Sequence, residues 1–290
     1  MTCTLVTCYY PLPSKNPEST YLQWAQTFMT LDAPIVLFTP PSHVKIFKAM
    51  RPSKPLHVIP QSFDDLEMWK LHKSLWEIHH AMDHEKHHHS PELYAIWAQK
   101  STFVYNTFLL NPFNTEYFFW CDIGAFRGPT IPETVRMSFP TTTHLPADRI
   151  LLCSINPLII DEITIQGDGI PGNFTKVDRI VGGLWGGSGV GCYQWHVAYC
   201  AMLQQYFNAN RFAGKDQSVM LSAYIDNPSL AYVTCASSEI QQVPTIVITD
   251  KVPYNIEADK LYVNPWFYLQ YLLSTIGFPF YLDPSYVLKQ

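Results

Sequence analysis

Between Glu116 and Arg127 the chain reads Glu-Tyr-Phe-Phe-Trp-Cys-Asp-Ile-Gly-Ala-Phe-Arg, and this stretch narrows the possible folds more than any other. Five uncharged, mostly aromatic residues, Tyr117 to Cys121, end abruptly in Asp122. A short apolar run without polar alternation predicts a strand covered on both faces. A carboxylate at the carboxyl end of such a strand stands where open α/β sheets bind ligands. Gly124 lets backbone approach whatever binds there. Arg127 adds a planar cation suited to carboxylate or phosphate.

The residues before this run alternate strand and helix signals. Strands are expected at Thr4 to Tyr9, Pro34 to Thr39 and Leu56 to Pro60. Helices are expected at Glu18 to Leu31, capped by Ser19 or Thr20, and at Ser42 to Met50. A third helix starts from Ser62 as cap, with Asp64 and Asp65 in its first turn and Met68, Leu71, Leu75, Ile78 and Met82 as its apolar stripe. Ser90-Pro91 opens a fourth, which Asn111-Pro112 closes. This βαβαβ rhythm predicts a Rossmann-type, mostly parallel sheet with helices on both faces. Later signals are a strand at Ile150 to Ile155, turns over 156–179, a glycine-rich turn from Gly182 to Gly191 with a helix to Phe207, and a helix from Lys215 to Ile225. An apolar strand follows at Pro244 to Thr249. With no repeat and no low-complexity linker, residues 1–290 read as a single domain.

Hydrophobic residues make up 47% of the 290 and charged ones only 15%, which is enough apolar surface for a large core. A net charge of −5 argues against nucleic-acid partners, which need basic surface for phosphate. The seven cysteines are scattered without a Cys-x-x-Cys pair, and they read as free, buried thiols of a reducing, cytoplasmic compartment. The amino terminus lacks the basic start and apolar core of a signal peptide. Pro265 to Leu282 is uncharged but interrupted by Gln270, Ser274, Gly277 and Pro279. It reads as a buried carboxyl-terminal helix and tail, short of a clean membrane span of about 20 residues.

Several groups are candidates for chemistry. Paired glycines around Trp185 suit a loop where backbone approaches a sugar and the indole stacks on it; a tight turn before a helix capped by Ser188 is the other reading. Asp216 is either a helix cap or a carboxylate facing a sugar, as general base or as donor contact beside Gln217. Lys100 interrupts an apolar helix face, so it either snorkels or reaches a diphosphate. Tyr9 and Tyr10 end the first strand, where α/β folds hold a nucleobase. His84, His87, His88 and His89 read as a solvated loop rather than a metal cage, and His196 as a core or cleft histidine.

Taken in order, the segments Thr4-Leu-Val-Thr-Cys-Tyr-Tyr10, Pro34 to Thr39, Pro91 to Lys100, Asn111-Pro-Phe-Asn114, Phe119 to Arg127, the pairs Gly182-Gly183 and Gly186-Gly187, and Asp216-Gln217 resemble the HtrL/YibB (WlaTC-type) glycosyltransferase-like family. That resemblance implies a GT-A-like fold and transfer of a hexose or pentose from a nucleotide-diphosphate sugar, a UDP-sugar, to a glycan or other hydroxyl acceptor. It implies a nucleotide-sugar half at residues 1–127 and an acceptor half at 128–290. Thr7, Tyr9, Tyr10, Lys100, Asp122, Gly124 and Arg127 would meet the donor, with Asp122 on its ribose or on a divalent Mn2+ or Mg2+. Trp185, Gly186, Gly187, His196 and Gln217 would meet the sugar or acceptor, with Asp216 catalytic. Gly124 stands where the second acid of an Asp-x-Asp motif would be, and no His follows His196. A nucleotidyltransferase would want a glycine-rich basic loop in place of Tyr9-Tyr-Pro-Leu-Pro13. A carbohydrate-binding protein without activity is the third reading.

Overall fold

The computed structural model describes residues 3–13, 16–131, 133–142, 145, 147–154, 164–172 and 178–235. Seven strands form one sheet: β1 Cys3–Cys8, β2 Ile35–Thr39, β3 Leu56–Pro60, β4 Tyr117–Cys121, β5 Ile150–Ser154, β6 Leu184–Ser188 and β7 Ala231–Cys235. Their order is β3-β2-β1-β4-β6-β5-β7. Only β6 runs against its neighbours; the remaining pairings, β1 with β2 and β4, β2 with β3, and β5 with β7, are parallel. The α/β, mostly parallel architecture read from the alternating signals is the one observed.

Every residue of β1, β2, β5 and β6 is buried, which is why these strands appear in sequence as unbroken apolar or small-residue runs. Successive side chains point to opposite faces. Val6, Val36, Phe38, Phe118, Trp120 and Leu152 therefore join one core, while Leu5, Ile35, Leu37, Phe119, Cys121 and Leu151 join the other. Helices α3 Glu67–Met82, α4 Pro91–Leu110, α6 Gly189–Asn208 and α7 Asp216–Asp226 cover the first face. Helices α1 Glu18–Phe28, α2 Val44–Met50 and α5 Glu133–Ser138 cover the second. No disulfide joins the described cysteines, and no helix of the described residues is long and apolar enough to cross a membrane.

Helix α4 is fixed at both ends. Ser90 caps it by accepting from the Leu93 amide at 3.3 Å, Pro91 is its first residue, and Asn111 closes it at φ 36°. It is wedged between sheet, α3 and α6, so even Gln99, Lys100, Ser101 and Thr102 are buried.

Four expectations change. Ser62 makes no side-chain cap; residues Phe63–Asp65 form a 3-10 turn and α3 begins at Glu67. The buried face of α3 is Met68, Trp69, Trp76 and His79, leaving Leu71 and Ile78 exposed at 65% and 53%. Two indoles bury more apolar area than a leucine and an isoleucine, so the aromatic face wins. Helix α1 follows Pro17 without a side-chain cap, so neither Ser19 nor Thr20 serves. The glycine-rich turn is the fourth: Leu184 to Ser188 is an internal strand, with Gly186 opposite Phe119 and Gly187 opposite Phe118. Ser188 does cap α6, accepting from the Gly191 amide at 3.0 Å. The strand expected at Pro244 to Thr249 and the tail at Pro265 to Leu282 lie outside the described residues.

Strand β6 needs its glycines for space. A Cβ on Gly186 would fall 2.2 Å from the Phe118 carbonyl oxygen, and one on Gly187 2.2 Å from that of Arg149. Gly187→Ala should therefore destabilise the protein by about 3 kcal/mol in urea unfolding, as overpacking against backbone does. A loss below the error of the measurement would mean that the segment is an exposed loop after all.

Candidate active site at the carboxyl edge of the sheet

The chain leaves β1 for β2 and β3 on one side, then places β4 on the other side of β1. Connections after β1 and β4 thus diverge, and a crevice opens between them at the carboxyl edge. The reversed β6 begins at this same edge, so Gly182 and Gly183 arrive beside Asp122. The Asp122 amide donates to the Gly183 carbonyl at 2.8 Å, extending the β4–β6 ladder by one step.

Three charged groups from three elements meet there. Lys100 comes from α4, Asp122 from the end of β4, and Asp216 from the first residue of α7. Lys100 Nζ lies 2.9 Å from Asp216 Oδ2 and 3.4 Å from Asp122 Oδ1, and donates to the Gly182 carbonyl at 3.0 Å. The Lys100 and Asp216 side chains are 6% and 4% exposed, whereas that of Asp122 is 47% exposed and opens to solvent. Trp120 Nε1 donates to Asp122 Oδ1 at 2.7 Å, and the Lys100 ammonium sits 5.6 Å from the centre of the Trp120 ring. Asp216 Oδ1 accepts from the Gln217 amide at 2.9 Å. The cap position of α7 belongs to Lys215, so Asp216 is not a cap but a first-turn acid turned toward Lys100.

The glycine pair that shapes the site is Gly182-Gly183. A Cβ on Gly182 would meet Asp216 Oδ2 at 2.9 Å, and one on Gly183 would meet Asp122 Oδ2 at 3.0 Å. Their missing side chains let two carboxylates close on the backbone.

Electrostatics follow from enclosure and pairing. Burial alone would push the Lys100 ammonium down; Asp122 and Asp216 outweigh it and raise its pKa above the ordinary lysine value. The tightly packed surroundings raise the Asp122 carboxyl, and Asp216 adds to this against the pull of Lys100 and Trp120. Burial, and then the Asp122 carboxylate, push the Cys8 thiol up.

The remaining expected site residues divide. Tyr9 packs against His43 and Phe47 and gives its hydroxyl to Glu18 at 3.1 Å, a structural role. Thr7 and Tyr10 are buried at the end of β1, and neither hydroxyl has a partner among the described residues. Gly124 and the exposed Arg127 face Trp24: a Cβ on Gly124 would lie 3.1 Å from its ring, and the guanidinium stacks 4.9 Å above it. Lys100 does not snorkel: its side chain stays buried and its ammonium ends at Asp122, Asp216 and the Gly182 carbonyl. Trp185 is not a sugar platform: it is 2% exposed, beside Trp120 in the sheet and 6.4 Å from Trp195. Gly186 and Gly187 are sealed within the ladder and touch no ligand space. His196 stacks on Tyr105 at 4.6 Å and lies 3.3 Å from Ser101 Oγ, with burial pushing its pKa down. Gln217 is half-buried beside Asp216.

Trp120 and Tyr199 enter the site without a sequence signal beyond their aromatic character. Tyr199 lines a crevice beside Lys100 and Asp216 with Trp97, Trp185, Trp195 and Met220; it is too narrow to admit a water. The Tyr199 hydroxyl and the Trp185 and Trp195 Nε1 groups have no partner among the described residues.

The histidine segment is solvated at His84, His87 and His88, as expected. His89 turns inward, with Nδ1 2.7 Å from Asp83 Oδ2, and the ligand atoms of Asp83, Glu85 and His89 lie within 4.8 Å of one another, close enough to hold a metal ion. Lys215 already neutralises Glu85 at 2.7 Å, and this pair braces the start of α7, one residue before Asp216. A wider depression of about 480 Å3 runs along Gln166–Asp168 and Ala209–Phe212 and is lined by none of the three charged residues. Its Arg211 is fully engaged by Asp168 and the carbonyls of Ile170, Pro171 and Gly172, so the sheet edge is the better site.

The family described as "Bacterial protein of unknown function (HtrL_YibB)" matches residues 4–238. No curated protein matches the chain. Among solved structures it is similar to the 4-diphosphocytidyl-2C-methyl-D-erythritol synthase of Anaerococcus prevotii DSM 20548, at 8% identity and a TM-score of 0.34, over 80% of this chain and 88% of that one.

Lys100 and Asp216 should be energetically coupled. Lys100→Met should cost about 3–5 kcal/mol in urea unfolding, because it strands a buried carboxylate. Adding Asp216→Asn should return at least about 1 kcal/mol. Purely additive losses would mean that the two groups do not form the pair.

Proposed function

Because the chain belongs to the HtrL_YibB family and gathers an ammonium and two carboxylates at a topological switch point, we propose that it transfers a sugar from a nucleotide-diphosphate sugar, a UDP-sugar, to a hydroxyl of a glycan acceptor. The convergence of Lys100, Asp122 and Asp216 on one sheet edge is the observation that carries this reading. In such a transfer the anomeric carbon–oxygen bond to the diphosphate breaks, a new one forms to the acceptor oxygen, and the acceptor proton departs. Negative charge grows on the diphosphate, so fixed positive charge close by lowers the barrier.

Asp122 is the half-exposed member of the cluster and takes the donor, accepting from ribose or sugar hydroxyls. Residues 1–127 supply this nucleotide half. Residues 128–290 supply the acceptor half, with Asp216 at its border. As base for the acceptor hydroxyl, Asp216 needs the crevice beside Tyr199 to open on binding, since it is too narrow to admit a water. Its burial against Lys100 favours a second role, fixing the ammonium in place. A nucleotidyltransferase is disfavoured because Tyr9 and Tyr10 are packed into the core where a basic phosphate loop would be needed.

Asp122→Asn should keep its fold by circular dichroism and lose at least about 100-fold in transfer from a UDP-sugar, since it removes charge rather than core volume. Near-normal turnover in the folded variant would remove the strand end as donor site. UDP should raise the melting temperature of the wild-type protein, as a ligand of the native state does; a protein that binds glycans but ignores UDP would be a lectin.

Asp216→Asn separates the two roles of that residue. If Asp216 is the base, the variant binds UDP normally and loses most transfer, because an amide takes up no proton near neutral pH. If it only fixes Lys100, UDP affinity falls together with turnover.

A further inference from the structure

Positive charge beside a donor diphosphate can come from a divalent ion, which the family resemblance would place on Asp122 as Mn2+ or Mg2+. The residues around Asp122 do not fit an ion shared with Asp216. Lys100 Nζ stands between the two carboxylates, 3.4 Å from one and 2.9 Å from the other, with the Gly182 carbonyl at 3.0 Å. An ammonium has three protons to donate, and three oxygens surround this one. The arrangement is an all-oxygen cation site with its cation covalently attached. We propose that Lys100 is the resident cation of this site, and that the protein binds its nucleotide donor and transfers the sugar without a divalent metal ion. The second clause rests on the glycosyl-transfer reading; the first concerns cation binding alone.

Neither the lysine nor Asp216 has room to yield. Lys100 is carried on a helix buried between sheet and helices, so a displaced ammonium would move from three oxygens into an aromatic core. A divalent ion shared by the two carboxylates would have to take the position that the ammonium fills. Asp216 is 4% exposed, and its oxygens lie where a Cβ on Gly182 would meet them at 2.9 and 3.0 Å. One ammonium against two carboxylates leaves a single negative charge, carried on the exposed side of Asp122 and available to donor hydroxyls. Arg127, on the loop that Asp122 begins, is the exposed cation that can meet the diphosphate.

The test is Mn2+ uptake followed by electron paramagnetic resonance, with metal alone and then with UDP. Wild-type protein should take up no Mn2+ that Asp122→Asn abolishes. Lys100→Ala, its site now vacant between two carboxylates, should bind Mn2+ at least about tenfold more tightly than wild type and melt higher when the ion is present. UDP affinity and transfer by the wild type should be the same in EDTA as in Mn2+. Wild-type uptake that disappears in Asp122→Asn, or a folded Lys100→Ala that gains no affinity, would overturn the proposal. Should Lys100→Ala not fold, the wild-type and Asp122→Asn titrations still decide it. Failure of UDP to bind under every condition would count against the glycosyl-transfer reading and leave the Mn2+ comparison standing as the test of the cation site.

Discussion

A lysine ammonium held away from water between two carboxylates is the constraint around which the functional edge is built. Burying a charge is costly unless it is paired and hydrogen-bonded, and here Lys100 donates to the Gly182 carbonyl and is ion-paired with both carboxylates. The pairing in turn demands that three distant segments be held in register. Helix α4 fixes the depth of the ammonium, β4 delivers Asp122 at its end, and α7 begins with Asp216. Lys215, tied to Glu85 and 3.5 Å from Asp178, anchors the start of α7 from the far side.

The reversal of β6 is what closes this geometry. A parallel strand at that position would bring its carboxyl end, not its approach, to the edge. Because β6 runs backward, the Gly182-Gly183 backbone enters beside Asp122, and its carbonyl groups serve both the ladder and the lysine. Downstream, Gly186 and Gly187 let β6 lie close against β4 and β5. One glycine-rich segment therefore does two jobs, access for carboxylates at its start and strand packing at its middle.

Much of this was legible in the chain. The run from Tyr117 to Cys121 is a strand at its expected limits, and Ser90-Pro91 and Asn111 bound α4 as their chemistry requires. Lys100 stood out as a charge on an apolar helix face. Its two carboxylate partners lie 22 and 116 residues away, and no local pattern encodes such a meeting. The glycine segment misled because glycine is read first as turn and freedom, whereas here it answers a demand for space inside a sheet. The α3 stripe misled because helical spacing alone does not weigh an indole above a leucine. Trp185 fell with the loop that was expected to carry it.

The central claim is that Lys100 is charged, immobile and part of the donor site. Its ammonium can be seen directly by 15N NMR of lysine side chains, since exposed ammonium protons exchange too fast to be detected and buried, bonded ones do not. The account predicts one slowly exchanging lysine signal, lost in Lys100→Met and shifted when UDP is added. No protected signal at neutral pH, or a protected signal indifferent to UDP, would contradict it.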